Sequence, residues 1–108
     1  MDSFTYIENL LDSEQDLLAD SILSRTLIQN DDLRVILFQF APGQELSEHT
    51  SSKPAILQFL SGTAKVTLGE EHKHAVPNTY VYMKPHLPHS IVAETQVSML
   101  LVMLENGK

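Results

Sequence analysis

His49 and His89 are the residues of this chain best suited to chemistry, because a neutral imidazole offers a nitrogen lone pair to a proton, a hydrogen-bond donor or a transition metal. His49 follows Gly43-Gln44-Glu45-Leu46-Ser47-Glu48, and His89 closes Lys84-Pro85-His86-Leu87-Pro88. Each therefore stands near the end of a strand-like run flanked by Gly or Pro, as the two halves of a divided metal site would. Alternation along a strand predicts that Ser51 shares the face of His49 while Glu48 points away. A serine hydroxyl is a poor ligand for a divalent transition metal, and catalytic zinc sites typically use three protein ligands. His86, in the proline loop and free of strand parity, is the best source of a third nitrogen. His72 and His74 form a second His-x-His, read either as an auxiliary metal pair or as a solvated strand face.

Other chemistries lack their residues. The chain has no Cys, which removes disulfides, thiolate metal sites and cysteine nucleophiles and fits a cytoplasmic protein. No Ser-His-Asp set lies on a nucleophile turn, no Gly-rich loop is spaced for phosphate, and no paired carboxylates flank the histidines. Fourteen Asp and Glu against seven Lys and Arg give a net charge of -7, which repels nucleic acid and anionic membranes. Residues 1–40 hold eight of those acids with only Arg25 and Arg34 as bases, the composition of a solubilising face. Residues 1–20 do not read as a signal peptide, and the apolar runs are far short of the roughly 20 residues that cross a bilayer.

The elements that must position the histidines are strands. A chain of 108 residues, 43% apolar, suits one hydrophobic core. A short helix is expected at residues 13–19, capped by Ser13. Beyond it, apolar runs separated by turn residues predict strands at 21–29, 33–40, 55–60, 63–68, 72–76, 80–83, 90–93 and 96–104. Three of them, 35–40, 55–60 and 99–104, are apolar on both alternating faces and need cover on both sides. A second copy of the chain is the expected cover on the outside, with the N-terminal segment as the competitor.

These strands carry residues that resemble the two motifs of small single-domain cupins. Gly43, His49 and Gly62 fall at the spacing of the first motif, with Ser51 where the second His belongs and Ala55 where the Glu belongs. In the second, Asn78-Thr79 occupies the turn, residues 80–83 the strand and Pro88-His89 the end. The resemblance runs from about residue 24 to residue 104. It implies an all-β fold, a small antiparallel jelly-roll barrel that is usually dimeric, with a pocket inside its wider end. In metal-binding members the first-motif ligands and the second-motif His converge there on iron, manganese, zinc, nickel or copper.

The resulting expectations are specific. Residues 1–20 form an acidic extension with a single helical turn, and residues 21–108 form the cupin barrel. His49, His89 and His86 are the candidate metal ligands, and Ser51, Phe40, Leu57, Phe59, Tyr82 and Met83 line the pocket. The function expected is binding of a small organic ligand by a cytoplasmic homodimer, with or without a divalent metal, and with no nucleic-acid or membrane partner. The alternative is a metalloenzyme of the dioxygenase or isomerase type on the same three histidines.

Overall fold

Branched and aromatic side chains recur at alternate positions, and the described residues form nine strands. A computed structural model describes residues 3–105. Residues 106–108 of the expected barrel lie outside the described residues, as do residues 1 and 2. The strands are β1 (Ile22–Gln29), β2 (Leu33–Phe40), β3 (Glu45–His49), β4 (Ala55–Ser61), β5 (Ala64–Leu68), β6 (Glu71–Ala75), β7 (Tyr80–Met83), β8 (His89–Ala93) and β9 (Val97–Leu104). They form two antiparallel sheets ordered β1-β2-β9-β4-β7 and β3-β8-β5-β6, the antiparallel jelly roll expected. The first hairpin turns at Asn30, whose Oδ1 accepts from the backbone N–H of Asp32 and of Leu33.

The inner faces of both sheets meet in one core. Phe40, Leu57, Phe59, Met83, Ile91 and Met99 are buried there together. At about 1.5–3 kcal/mol for each large apolar side chain removed from water, this cluster is the main force holding the sheets together.

The outer face of the five-stranded sheet is apolar as well. Val35, Leu37 and Leu100 form a second buried cluster with Leu10 packed against it. The N-terminal segment supplies that cover, over β2 and β9. Its polar groups are matched to the sheet: the Gln15 N–H donates to Gln39 Oε1 at 2.8 Å, and Gln39 Nε2 donates to the Gln15 carbonyl at 2.9 Å. The Ser98 hydroxyl donates to the Glu14 carboxylate. Gln39 and Ser98 are both buried, so these contacts satisfy polar groups that would otherwise face an apolar environment. The helix expected at 13–19 is not formed. A single 3-10 turn, Leu10–Ser13, is capped instead by Asn9, whose side chain accepts from the Leu11 N–H. Residues 14 and 15 pair with the sheet instead of with their own backbone.

Gly62, between β4 and β5, approaches the β8–β9 connection closely. Its φ is +81°, and a Cβ there would lie 2.0 Å from the Gln96 carbonyl oxygen. Only glycine meets both demands.

Candidate functional site

His89 opens β8 on the inward side, in line with the buried Ile91 and Ala93. The partner strand β3 pairs Leu46 with Ile91 and His49 with His89, so two residues of β3 oppose the single Ser90 of β8. That extra residue is a β-bulge. Without it, an odd separation from Leu46 would send His49 outward. With it, the rings of His49 and His89 come together, centroids 4.2 Å apart and planes inclined by 60°.

Both rings are oriented by backbone. His49 Nδ1 lies 2.8 Å from the Ser47 carbonyl oxygen, and His89 Nδ1 lies 2.8 Å from that of Leu87. A carbonyl can only accept, so each neutral ring carries its proton on Nδ1 and keeps a lone pair on Nε2. His49 is exposed and His89 is buried, which puts the pair where the core meets solvent. Burial holds His89 below its usual pKa of 6.5; its bond to Leu87 works against this, and the charge of a protonated His49 adds to it. The lowered pKa favours the neutral form of His89, whose Nε2 is then an acceptor.

The other expected site residues are placed as follows. Phe40, Leu57, Phe59 and Met83 share the core cluster. Tyr82 does not join them: it pairs with Ile56 on the outer face and is exposed, because its neighbour Met83 takes the inward position. This corrects the interior placement expected for it. Ser51 lies beyond the end of β3, so strand parity no longer relates it to His49. Its carbonyl accepts from the His86 N–H at 2.7 Å, and its hydroxyl accepts from the Lys53 N–H at 3.1 Å. His86 is exposed, with φ +70°. Ala55 is buried and carries no ligand atom.

Among the described residues, no group of three or more His, Cys, Asp or Glu is placed to hold a metal ion. The chain's own donors at the pair amount to two imidazoles, short of a catalytic metal site. His72 and His74 pair with Thr67 and Lys65 and are exposed on the outer face of the four-stranded sheet. There His74 Nε2 meets Glu94 Oε1 at 2.6 Å and His72 Nδ1 meets Thr67 Oγ1 at 3.1 Å. The two carbonyls that fix the tautomers were absent from the sequence reading. Every residue has such a carbonyl two positions back, so no residue type marks them.

A jelly roll with paired histidines from β3 and β8 defines a class, and comparison with known proteins agrees. The cupin domain family model matches residues 36–105, and the chain belongs to the cupin family. A cupin superfamily protein from Desulfitobacterium hafniense is similar at 27% identity and a TM-score of 0.79, covering 83% of each chain. A conserved protein of unknown function from Streptococcus pyogenes is 29% identical with a TM-score of 0.76, covering 99% of this chain and 100% of its own. Salicylate 1,2-dioxygenase from Pseudoaminobacter salicylatoxidans, at 16% identity and a TM-score of 0.73 over 87% of this chain and 28% of its own, shares the fold. No curated protein matches. No helix among the described residues is long and apolar enough to cross a membrane.

Proposed function

We propose that this cupin binds a small organic ligand at the His49–His89 pair. The observation that carries the reading is the anchoring of both Nδ1 atoms on backbone carbonyls, which leaves two Nε2 lone pairs on neighbouring rings. Nε2 lone pairs on neighbouring rings favour a ligand that brings hydrogen-bond donors, such as a hydroxylated compound. Its apolar part would reach Phe40, Leu57, Phe59 and Met83 only if these buried side chains repacked, for which the methionine is the most adaptable. Ser51, half-buried, would add a polar contact. The working form is a cytoplasmic homodimer, supported by the absence of Cys and by the part of the outer sheet face that the N-terminal segment leaves bare.

The second reading is a metal-dependent enzyme of the dioxygenase or isomerase type. Nδ1 anchoring supports it, since metal-ligating histidines usually give their other nitrogen to a carbonyl or carboxylate. It needs a third donor, for which the exposed His86 is the candidate. Metal analysis of protein purified without a histidine tag separates the two. Below about a tenth of an equivalent per chain, unchanged after supplementation with iron, manganese, zinc, nickel or copper, the metal reading fails. The ligand reading is tested by NMR with a panel of phenols and polyols. Saturable shifts at His49 and His89 that vanish in His89→Ala are expected, and shifts that persist in that variant place binding elsewhere.

A further inference from the structure

The edge strand β6 carries two imidazoles on its outward face. Ala75 is buried and takes the inward side with Lys73 and Glu71, so alternation sends His72 and His74 outward together. Other elements hold the two rings from behind. His74 Nε2 lies 2.6 Å from Oε1 of Glu94, which follows β8 and whose N–H donates to the Thr63 carbonyl at 2.9 Å. His72 Nδ1 lies 3.1 Å from the Thr67 hydroxyl on β5. A carboxylate only accepts, so a neutral His74 carries its proton on Nε2 and keeps a lone pair on Nδ1. The Thr67 hydroxyl can accept from His72 Nδ1, which leaves the lone pair of that ring on Nε2. Both rings border one hollow of about 640 Å³, shared with Lys65, Thr67 and Val92.

We propose that His72 and His74 bind a divalent transition metal ion on this outer face, through His72 Nε2 and His74 Nδ1, with water in its remaining positions. Residues two apart on a strand are separated by roughly 7 Å, and exposed rings are free to rotate onto one ion between them. The contacts behind the rings are those of metal ligands. A ligating histidine almost always gives its other N–H to a carboxylate, carbonyl or water, which orients the ring and raises the basicity of the ligating nitrogen. Glu94 does this for His74 from twenty residues away, so the fold delivers a carboxylate that the His-x-His motif lacks. Lys65, cross-strand from His74, opposes the ion, but it is exposed and water and salt screen its charge. The site differs from the His49–His89 pair in lying in water, where the ion keeps much of its hydration, and in having a carboxylate to offset its charge. Because water completes the coordination, no third protein donor is needed, and none is placed there among the described residues. Imidazole nitrogens suit zinc, copper and nickel, and copper(II) binds most tightly of these.

Copper(II) added to the full, untagged chain tests the proposal by NMR, because the paramagnetic ion broadens the rings that it binds. Ring protons of His72 and His74 should broaden first, below one equivalent, ahead of those of His49, His86 and His89. Isothermal titration calorimetry should show the first equivalent lost in His72→Asn/His74→Asn, whose positions are exposed, and retained in His49→Ala/His89→Ala. Glu94→Ala should weaken it by about 10-fold or more, the usual effect of removing a group that orients a ligand. Metal held here also counts in an analysis of the whole protein, so the same analysis on His72→Asn/His74→Asn reports on the His49–His89 pair alone. No broadening at one equivalent, broadening that begins at His49 and His89, or a first equivalent that survives in His72→Asn/His74→Asn overturns the site. Equal broadening at all five histidines with unchanged affinity in Glu94→Ala means adventitious surface binding only, and overturns it as well.

Discussion

Gly62 and Gly43 allow the cost of a close approach to be separated from the cost of backbone conformation. Both have left-handed backbone, at φ +81° and +83°. A Cβ at Gly43 would meet nothing within 4 Å. Gly43→Ala should therefore cost only the left-handed penalty of about 1–2 kcal/mol. A Cβ at Gly62 would meet the Gln96 carbonyl oxygen at 2.0 Å, its carbon at 2.9 Å and Thr95 Oγ1 at 2.9 Å. The turn must then part from residues 94–96, at the expense of the bonds from Thr63 N–H to Thr95 Oγ1 (3.0 Å) and from Glu94 N–H to the Thr63 carbonyl (2.9 Å). At about 1 kcal/mol for each bond, Gly62→Ala should cost about 3–4 kcal/mol, roughly 2 more than Gly43→Ala. Urea unfolding of the two variants, followed by far-ultraviolet circular dichroism with slopes checked for equality, reads that difference directly. Equal losses, within about 0.5 kcal/mol, would refute the packing of the β4–β5 turn against the β8–β9 connection.

Three further outcomes are expected. His49→Ala should raise the pKa of His89 while leaving it below 6.5, because burial outweighs the opposing bond to the Leu87 carbonyl; side-chain NMR titration gives the value, and a fall would contradict the geometry. With its folded pKa depressed, His89 binds a proton more readily in the unfolded chain, so its contribution to stability is full above pH 6.5 and declines as the pH falls toward the folded pKa. Urea midpoints at neutral pH and at about pH 5 should show that loss in wild type and a smaller one in His89→Gln. Gln39→Ala strands the N–H and carbonyl of Gln15 and should cost about 1–3 kcal/mol by urea unfolding, whereas a cost near zero would mean that the N-terminal segment is not docked.

Most strands were legible because β2, β4 and β9 carry apolar residues on both faces and turn residues stand between them. β3 was harder: four of its five residues are exposed and only Leu46 contributes an apolar anchor, so no alternation marks it. It also ends at His49, so the parity by which His49 and Ser51 were expected to share a face does not reach Ser51. The helix at 13–19 failed for a tertiary reason, since propensity yields where Gln39 and Ser98 offer partners to an extended segment. The meeting of His49 with His89 was legible from the family resemblance. Their tautomers were not, because carbonyl acceptors are the same in every residue.

Gln39 and Ser98 fix an order of events. The landing site of the N-terminal segment is shared between β2 and β9, so it does not exist until the last strand of the sheet has paired. During synthesis the segment is the first part made and the last to dock. For that interval Leu10 has no sheet to lie on. The six acids and absence of any base in residues 1–20 would keep the tail in water and away from neighbouring nascent chains until β9 arrives.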